Sequence, residues 1–263
     1  MLLAVSIACF APMPRWIAFA QRPEFEVASV KLNKIVSPNI DTRPKRSGDL
    51  VTMHRTRLFA MIFFAYHLTG NFQLVGNLEA RQWWDWYDLD AKTPESTTED
   101  QLRLMMQALL EDRFILKVHR ETRELPAYHI VIAKGGPKLK PEDAGFEFNV
   151  DGRAVPLRSG VCAPLLSLDG THLGCKGGTI AQLAGILRGE MGGPVMDDTG
   201  LTGQYDFQLV YERPNAPPGN LPDGMVPAPP IAEAIQSLGL RLEKGKAPVE
   251  VLVVDHVEKP SEN

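Results

Sequence analysis

Three cysteines in 263 residues, with no Cys-x-x-Cys among them, leave no thiol framework for a zinc or dithiol redox centre. Nucleophile and phosphate-binding signatures are missing as well. There is no Gly-x-Ser-x-Gly, Ser-x-x-Lys, His-Glu-x-x-His or glycine-rich phosphate loop. Serine chemistry would have to use Ser159 or Ser167 with His172. Nor is there an excess of positive charge: 28 Lys and Arg against 32 Asp and Glu give a net charge of −4, which excludes an electrostatic footprint for nucleic acid. The basic run Arg43-Pro44-Lys45-Arg46 is local. Beyond the first twenty residues no apolar run approaches the length of a membrane span.

Those first twenty residues are apolar and end in Ala18-Phe19-Ala20, the small-x-small pattern of signal-peptide cleavage. They predict export, with a mature chain from Gln21 in the periplasm or outside the cell. Cleavage leaves Cys162 and Cys175, and an exported pair in a glycine-rich stretch is expected to form a disulfide.

The rest of the chain is written twice. From Tyr87 it runs YDLDAKTP, a helix-patterned EDQLRLMMQALLEDR and FILKVHRETRELPAYHIVIAKGG. From Tyr205 it runs YDFQLVYERP, a proline-rich loop over Asn215 to Pro230, PPIAEAIQSLG and LRLEKGKAPVEVLVVDHVEKP. A further helical segment precedes each Tyr-Asp, at Arg57 to His67 and at Thr179 to Glu190. The spacing of Leu102, Met105, Met106, Leu109 and Leu110, and of Ile231, Ala234, Ile235 and Leu238, gives each copy an apolar helix face. The expected class is α/β (α+β): two α-β-α-β-β units with antiparallel or mixed sheets covered by helices. The expected boundaries are 1–20 for the leader, 21–135 for the first repeat with an N-terminal strand, 136–178 for a connecting excursion closed by the disulfide, and 179–263 for the second repeat. Strand alternation with a turn at Thr122 to Leu125 predicts a hairpin with His119 and His129 facing one another.

Four sets of side chains are candidates for chemistry. Asp198-Thr199-Gly200 spells the aspartic-protease tripeptide, but its copy near Gly76-Asn77-Leu78-Glu79 lacks a second one, so turn chemistry is the plainer reading. Asp197, Asp198 and Asp206 are candidate oxygen ligands for Ca²⁺, with Asp88 and Asp206 at equivalent positions. Solvated turn and strand carboxylates are the alternative. His119 and His129 are candidates to share a metal or a proton. Trp83, Trp84, Trp86 and Tyr87 form an aromatic cluster that either anchors the core or offers a stacking surface.

Several long motifs resemble a family of exported soil-bacterial proteins of unknown function, best known from acidobacteria. They are FEVASVK at 25–31, LLEDRFILKVHRETRELPAYHIVIAKGGPKL at 109–139, PVMDDTGLTGQYDF at 194–207 and APVEVLVVDHVEKPSEN at 247–263. The resemblance implies an extracytoplasmic role, because members occur after a signal peptide or fused to membrane metallopeptidase sensors of the antibiotic-response type. It brings no catalytic residues with it. At the level of fold alone, each repeat is also similar to the short N-terminal modules of secretins and TonB-dependent receptors. The expected function is binding of a small-molecule, glycan or peptide ligand outside the cytoplasm, at the aromatic cluster and the 215–230 loop. The alternative is a secreted hydrolase of esters or lactones, such as N-acyl-homoserine lactones, using Ca²⁺-activated water on Asp198 and Asp206 with His119 or His129.

Overall fold

The computed structural model describes residues 22–34, 41–76, 83, 85–143, 145–212 and 226–260. The leader, Trp84 and residues 215–225 of the proline-rich loop lie outside them. The described chain is mixed α/β, with antiparallel and mixed sheets. Its first copy runs β1 (Val27–Asn33), β2 (Lys45–Ser47), β3 (Leu50–Arg57), α1 (Leu58–Ala65), β4 (Leu74–Val75), β5 (Trp86–Lys92), α2 (Glu99–Phe114) and β6 (Lys117–Ile132). Its second runs β7 (Lys140–Pro141), a hairpin of β8 (Phe148–Val150) and β9 (Arg153–Val155), β10 (Val161–Leu166), β11 (Thr171–Gly178), α3 (Ile180–Met191), β12 (Val195–Asp197), β13 (Tyr205–Tyr211), α4 (Ile231–Ala234) and β14 (Leu240–His256).

The sheets order as β1-β5-β3-β2 in one lobe and β7-β13-β11-β10 in the other, so the repeat extends further back than its helices suggest. Strands β7, β10 and β11 answer to β1, β2 and β3. The stretch 136–178, expected to be a connecting excursion, holds those three strands, and among the described residues β8–β9 is its part without a counterpart in the first copy. Its glycines hide a buried strand: a Cβ at Gly174 would lie 2.3 Å from the Phe148 ring, and one at Gly178 would lie 2.6 Å from Cys162 Sγ. Close approach demands the missing side chains. Cys162 and Cys175 face one another across β10 and β11 and form the expected disulfide.

Local chemistry sets the helix ends. Thr98 accepts from Gln101 N while the Gln101 side chain accepts from Thr98 N, and Thr179 and Gln182 repeat this box ahead of α3. Glu99 and Asp100 add negative charge to the first turn of α2. Helix α2 buries Leu102, Met105, Met106, Leu109 and Leu110, as its spacing predicts.

The expected terminal hairpins do not exist. Strand β6 is continuous, and so is β14, and the two pair antiparallel from Leu240↔Ile132 to Val254↔Val118. At about 3.4 Å per residue the ladder spans roughly 50 Å. Short strands flank it crosswise: β4 of the first copy lies parallel to β14 of the second, and β12 of the second lies parallel to β6 of the first. Ile115 and Gly239, the left-handed caps before β6 and β14, are 124 positions apart. Glu124 and Pro248 have the same offset and face each other in the ladder. The pseudo-twofold axis of the duplication passes through that pair.

Each strand of the ladder serves both cores. Leu116 and Val118 pack with Leu252 and Val254 in the first, while Tyr128 and Ile130 pack with Leu240 and Leu242 in the second. All eight positions are even-numbered and share one face of the ribbon. Between them, Arg120, Thr122, Glu124 and Pro126 on β6, and Lys244, Lys246, Pro248 and Glu250 on β14, are exposed. The result is a polar floor between two lobes.

The two caps are not equally comfortable. Ile115 adopts φ +48°, which costs a β-branched residue about 1–2 kcal/mol. Gly239 adopts φ +70°, and a Cβ there would lie 2.3 Å from Gly136 O. Urea unfolding should show Gly239→Ala destabilised by about 2 kcal/mol or more, whereas Ile115→Gly stays within about 1 kcal/mol of the parent. Equal effects at both positions would contradict the cap assignment.

Candidate functional site

The acidic residues of the second copy separate into three environments. Asp206 on β13 is 5% exposed, and its two oxygens accept from Gly177 N at 2.7 Å and Asp143 N at 2.5 Å. Gly177 sits at φ +57° in a β-bulge of β11. The first copy repeats the device: Asp88 on β5 accepts from the backbone N of Arg55, at φ +50° in the corresponding bulge of β3, and from the Asn33 side chain. These carboxylates satisfy backbone donors that a bulge leaves without a ladder partner. They clamp their own lobes and do not meet. Alternation along β13 points Asp206 away from Phe207 and Leu209, but the segment from Asp143 to β8–β9 covers that face.

Asp197 accepts from both the backbone N and the hydroxyl of Thr199, at 3.0 and 2.6 Å, closing an Asx turn over the Asp-Thr-Gly tripeptide. Asp198 donates its backbone N to Ile130 O and accepts at 2.7 Å from the imidazole of His129 through Nδ1. Of the residues proposed for the hydrolase alternative, His129 and Asp198 form one dyad at the β6–β12 seam. Asp197, Asp198 and Asp206 do not converge as a ligand set.

Nor do His119 and His129 share a site, because both lie on β6, facing Val253 and Glu243 of β14. The His129 ring rests on Gly245, where a Cβ would lie 2.8 Å from Nε2. His119 is exposed and hydrogen-bonds Asp255 through Nδ1 at 2.9 Å. That bond, with the charges of Asp255 and Glu121, raises its pKa above the ordinary imidazole value against the opposing effects of desolvation and Arg123.

The aromatic cluster offers little stacking surface. Trp83 and Tyr87 are buried in the first core, with the Tyr87 ring edge-on to Phe114 at 5.2 Å. Burial pushes the Tyr87 hydroxyl up to about 12. Trp86 is half-buried, its face covered by the Arg57 guanidinium at 4.3 Å. Of the two readings the sequence allows, the described residues take the core one.

A different cluster assembles where the β8–β9 turn meets the β10–β11 turn. One ligand-type atom from each of Asp151, Asp169 and His172 lies within 4.8 Å of the others. The His172 Nε2 is 2.8 Å from Asp169, and the Ser167 hydroxyl donates to Asp151 at 2.6 Å. Burial alone would raise the Asp169 pKa, but the His172 hydrogen bond and charge, helped by Ser167, hold it below the usual carboxylate range. Asp151 also lines an open groove of about 400 Å³ with Val150, Arg153, Val155, Leu165 and Leu166. Ser167 and His172 were visible in the sequence as a pair. Asp151 was not, because sixteen residues separate it from Ser167 and only the inserted hairpin returns it.

A family model for proteins of unknown function, DUF3738, matches residues 59–257. The chain belongs to that DUF3738 family. The match begins in α1 and ends just past β14, so the DUF3738 region includes the whole β6–β14 ladder, the His129–Asp198 dyad and the Asp151 cluster. No curated protein and no solved structure matches the chain.

The raised pKa of His119 makes its pairing sensitive to pH. A folded-state value above the unfolded one means that the His119–Asp255 contribution is complete below the unfolded pKa and is lost as pH rises through the folded value. A histidine NMR titration should place His119 above about 6.5, and Asp255→Asn should bring it back toward that value. An unmoved midpoint would contradict the pairing.

Proposed function

We propose that this DUF3738 protein is an extracytoplasmic binding protein that receives a polar, extended ligand or partner segment, peptide or glycan, on the ribbon floor between its lobes. The observation that carries this reading is the exposed middle of the β6–β14 ladder. A sixteen-residue β6 commits its even face to apolar cores at both ends and presents charge between them. Lys244 and Lys246 stand on one strand, while Arg120 pairs with Glu250 across the ladder. Backbone groups of the even positions point away from the partner strand, as Tyr128 N and Ile130 O do toward β12. Pro126 and Pro248 therefore blunt both edges against strand addition, which favours recognition by side chains on the face.

Export is supported by the Cys162–Cys175 disulfide, which persists in oxidising compartments, and by the apolar leader with its Ala-x-Ala end. No helix among the described residues is long and apolar enough to cross a membrane. The resemblance to exported soil-bacterial proteins, some joined to antibiotic-response sensors, agrees with a role in sensing or capture outside the cytoplasm.

The alternative, hydrolysis of an ester or lactone such as an N-acyl-homoserine lactone, is favoured by one observation, the His129–Asp198 contact. Asp198 would orient the imidazole, and His129 would take a proton from water. Ca²⁺ on Asp197, Asp198 and Asp206 has no part in this version, since Asp206 is committed to backbone donors.

Calorimetric titration of the mature chain with muropeptide, oligosaccharide and peptide panels separates the readings. Binding is expected, and Lys244→Glu with Lys246→Glu should weaken it by about tenfold, near 1.4 kcal/mol, without changing the Tm. Unchanged affinity for every bound probe would sink the floor site. Turnover of a lactone panel that disappears in His129→Ala would instead establish the hydrolase.

A further inference from the structure

We propose that Asp151, Asp169 and His172 form a binding site for a first-row divalent cation of the zinc class, with the Ser167 hydroxyl orienting Asp151. The case starts from the imidazole. The His172 side chain is nine-tenths buried on β11, its Nε2 faces Asp169, and its Nδ1 has no hydrogen-bond partner. In every protonation state the buried Nδ1 goes without a protein partner, and Nε2 holds Asp169 only by donating a proton to it. A cation at Nε2 takes the place of that proton and ligates both groups, with the neutral ring's proton on Nδ1.

The carboxylates point the same way. Neither Asp151 nor Asp169 has an ion pair with lysine or arginine among the described residues, although their oxygens and the imidazole nitrogen lie within 4.8 Å of one another. Two ligand atoms on a tetrahedral zinc with bonds near 2.1 Å are about 3.4 Å apart. The 2.8 Å His172–Asp169 spacing is already close to that, and the Asp151 ligand atom lies within 4.8 Å of both. The fold holds this turn in place: Phe148, at the start of the β8–β9 hairpin, seats over Gly174 of β11. The Ser167–Asp151 bond supplies the outer contact that fixes a ligating carboxylate.

One nitrogen and two carboxylates suit Zn²⁺ or Mn²⁺ better than Ca²⁺, which takes six to eight oxygens. Three protein ligands leave a coordination position open, and the groove beside Asp151 gives the cation a route in.

The test is calorimetric titration of the oxidised mature chain, stripped with EDTA, with ZnCl₂, MnCl₂ and CaCl₂. With Cys162 and Cys175 bonded to each other, neither thiol competes. One Zn²⁺ per chain is expected, with Asp151→Asn and Asp169→Asn each weakening affinity by about tenfold or more. His119→Gln and Asp198→Asn should leave it unchanged. Asp151 is exposed, so its variant keeps the fold, which far-UV circular dichroism checks. Absence of one-to-one binding up to about 100 µM Zn²⁺ would overturn the site, as would equal affinity in both asparagine variants. Ca²⁺ binding as tight as Zn²⁺ would overturn the ligand class.

Discussion

The antiparallel pairing of β6 with β14 is the constraint on which the rest of the molecule depends. Each strand begins in one lobe and ends in the other, so neither core is complete without a strand end from the other copy. Leu252 and Val254 close the first core, while Tyr128 and Ile130 close the second. A duplicated chain could have folded as two independent beads on a linker. Here, extracting either copy would strip apolar surface from both cores, at about 25 cal/mol per Å² exposed. The same pairing brings β12 beside β6 and thereby brings Asp198 to His129. It also leaves the charged side chains of the ladder's middle, such as Glu124 and Lys246, exposed.

Around this axis the two copies share a less obvious device. A Tyr-Asp pair lies at the beginning of the same strand in each, Tyr87-Asp88 one residue into β5 and Tyr205-Asp206 at the first residue of β13, and the aspartate accepts from the backbone N of a left-handed bulge residue, Arg55 or Gly177. Duplication kept the clamp. It did not keep the candidate sites: His129 has Val253 at the corresponding position, and among the described residues only the second copy has the hairpin on which the Asp151 cluster depends. The candidate sites therefore sit where the halves differ, and the aspartate clamps where they agree.

Much of this was legible in the sequence and some was not, for physical reasons. The repeat, the amphipathic face of α2, the mixed α/β class and the Cys162–Cys175 bond follow from periodicity and cysteine arithmetic. The hairpin expected at Thr122 to Leu125 follows from a sound rule applied in the wrong setting. A polar stretch ending in proline usually marks a turn, but a strand bridging two lobes is solvated in its middle and reads the same way. The buried strand β11 was hidden by the opposite signal, since its glycines serve close packing with Phe148 and Cys162. Alternation along β13 points Asp206 away from Phe207 and Leu209, and no local pattern announces that the segment beginning at Asp143 covers that side. The clustering of Asp151 with Asp169 is long-range for the same reason.

The swapped ladder is most directly tested by cross-linking. Thr122 and Glu250 face one another at a position whose backbone groups point away from the partner strand, and such pairs bring Cα atoms to about 4.5 Å, within disulfide range. The variant Thr122→Cys with Glu250→Cys should form one intramolecular bond between those positions on oxidation, with the native disulfide intact. Failure to join them, together with intramolecular bonding of the pair His119→Cys and His129→Cys, would contradict the continuous ladder and restore the hairpin.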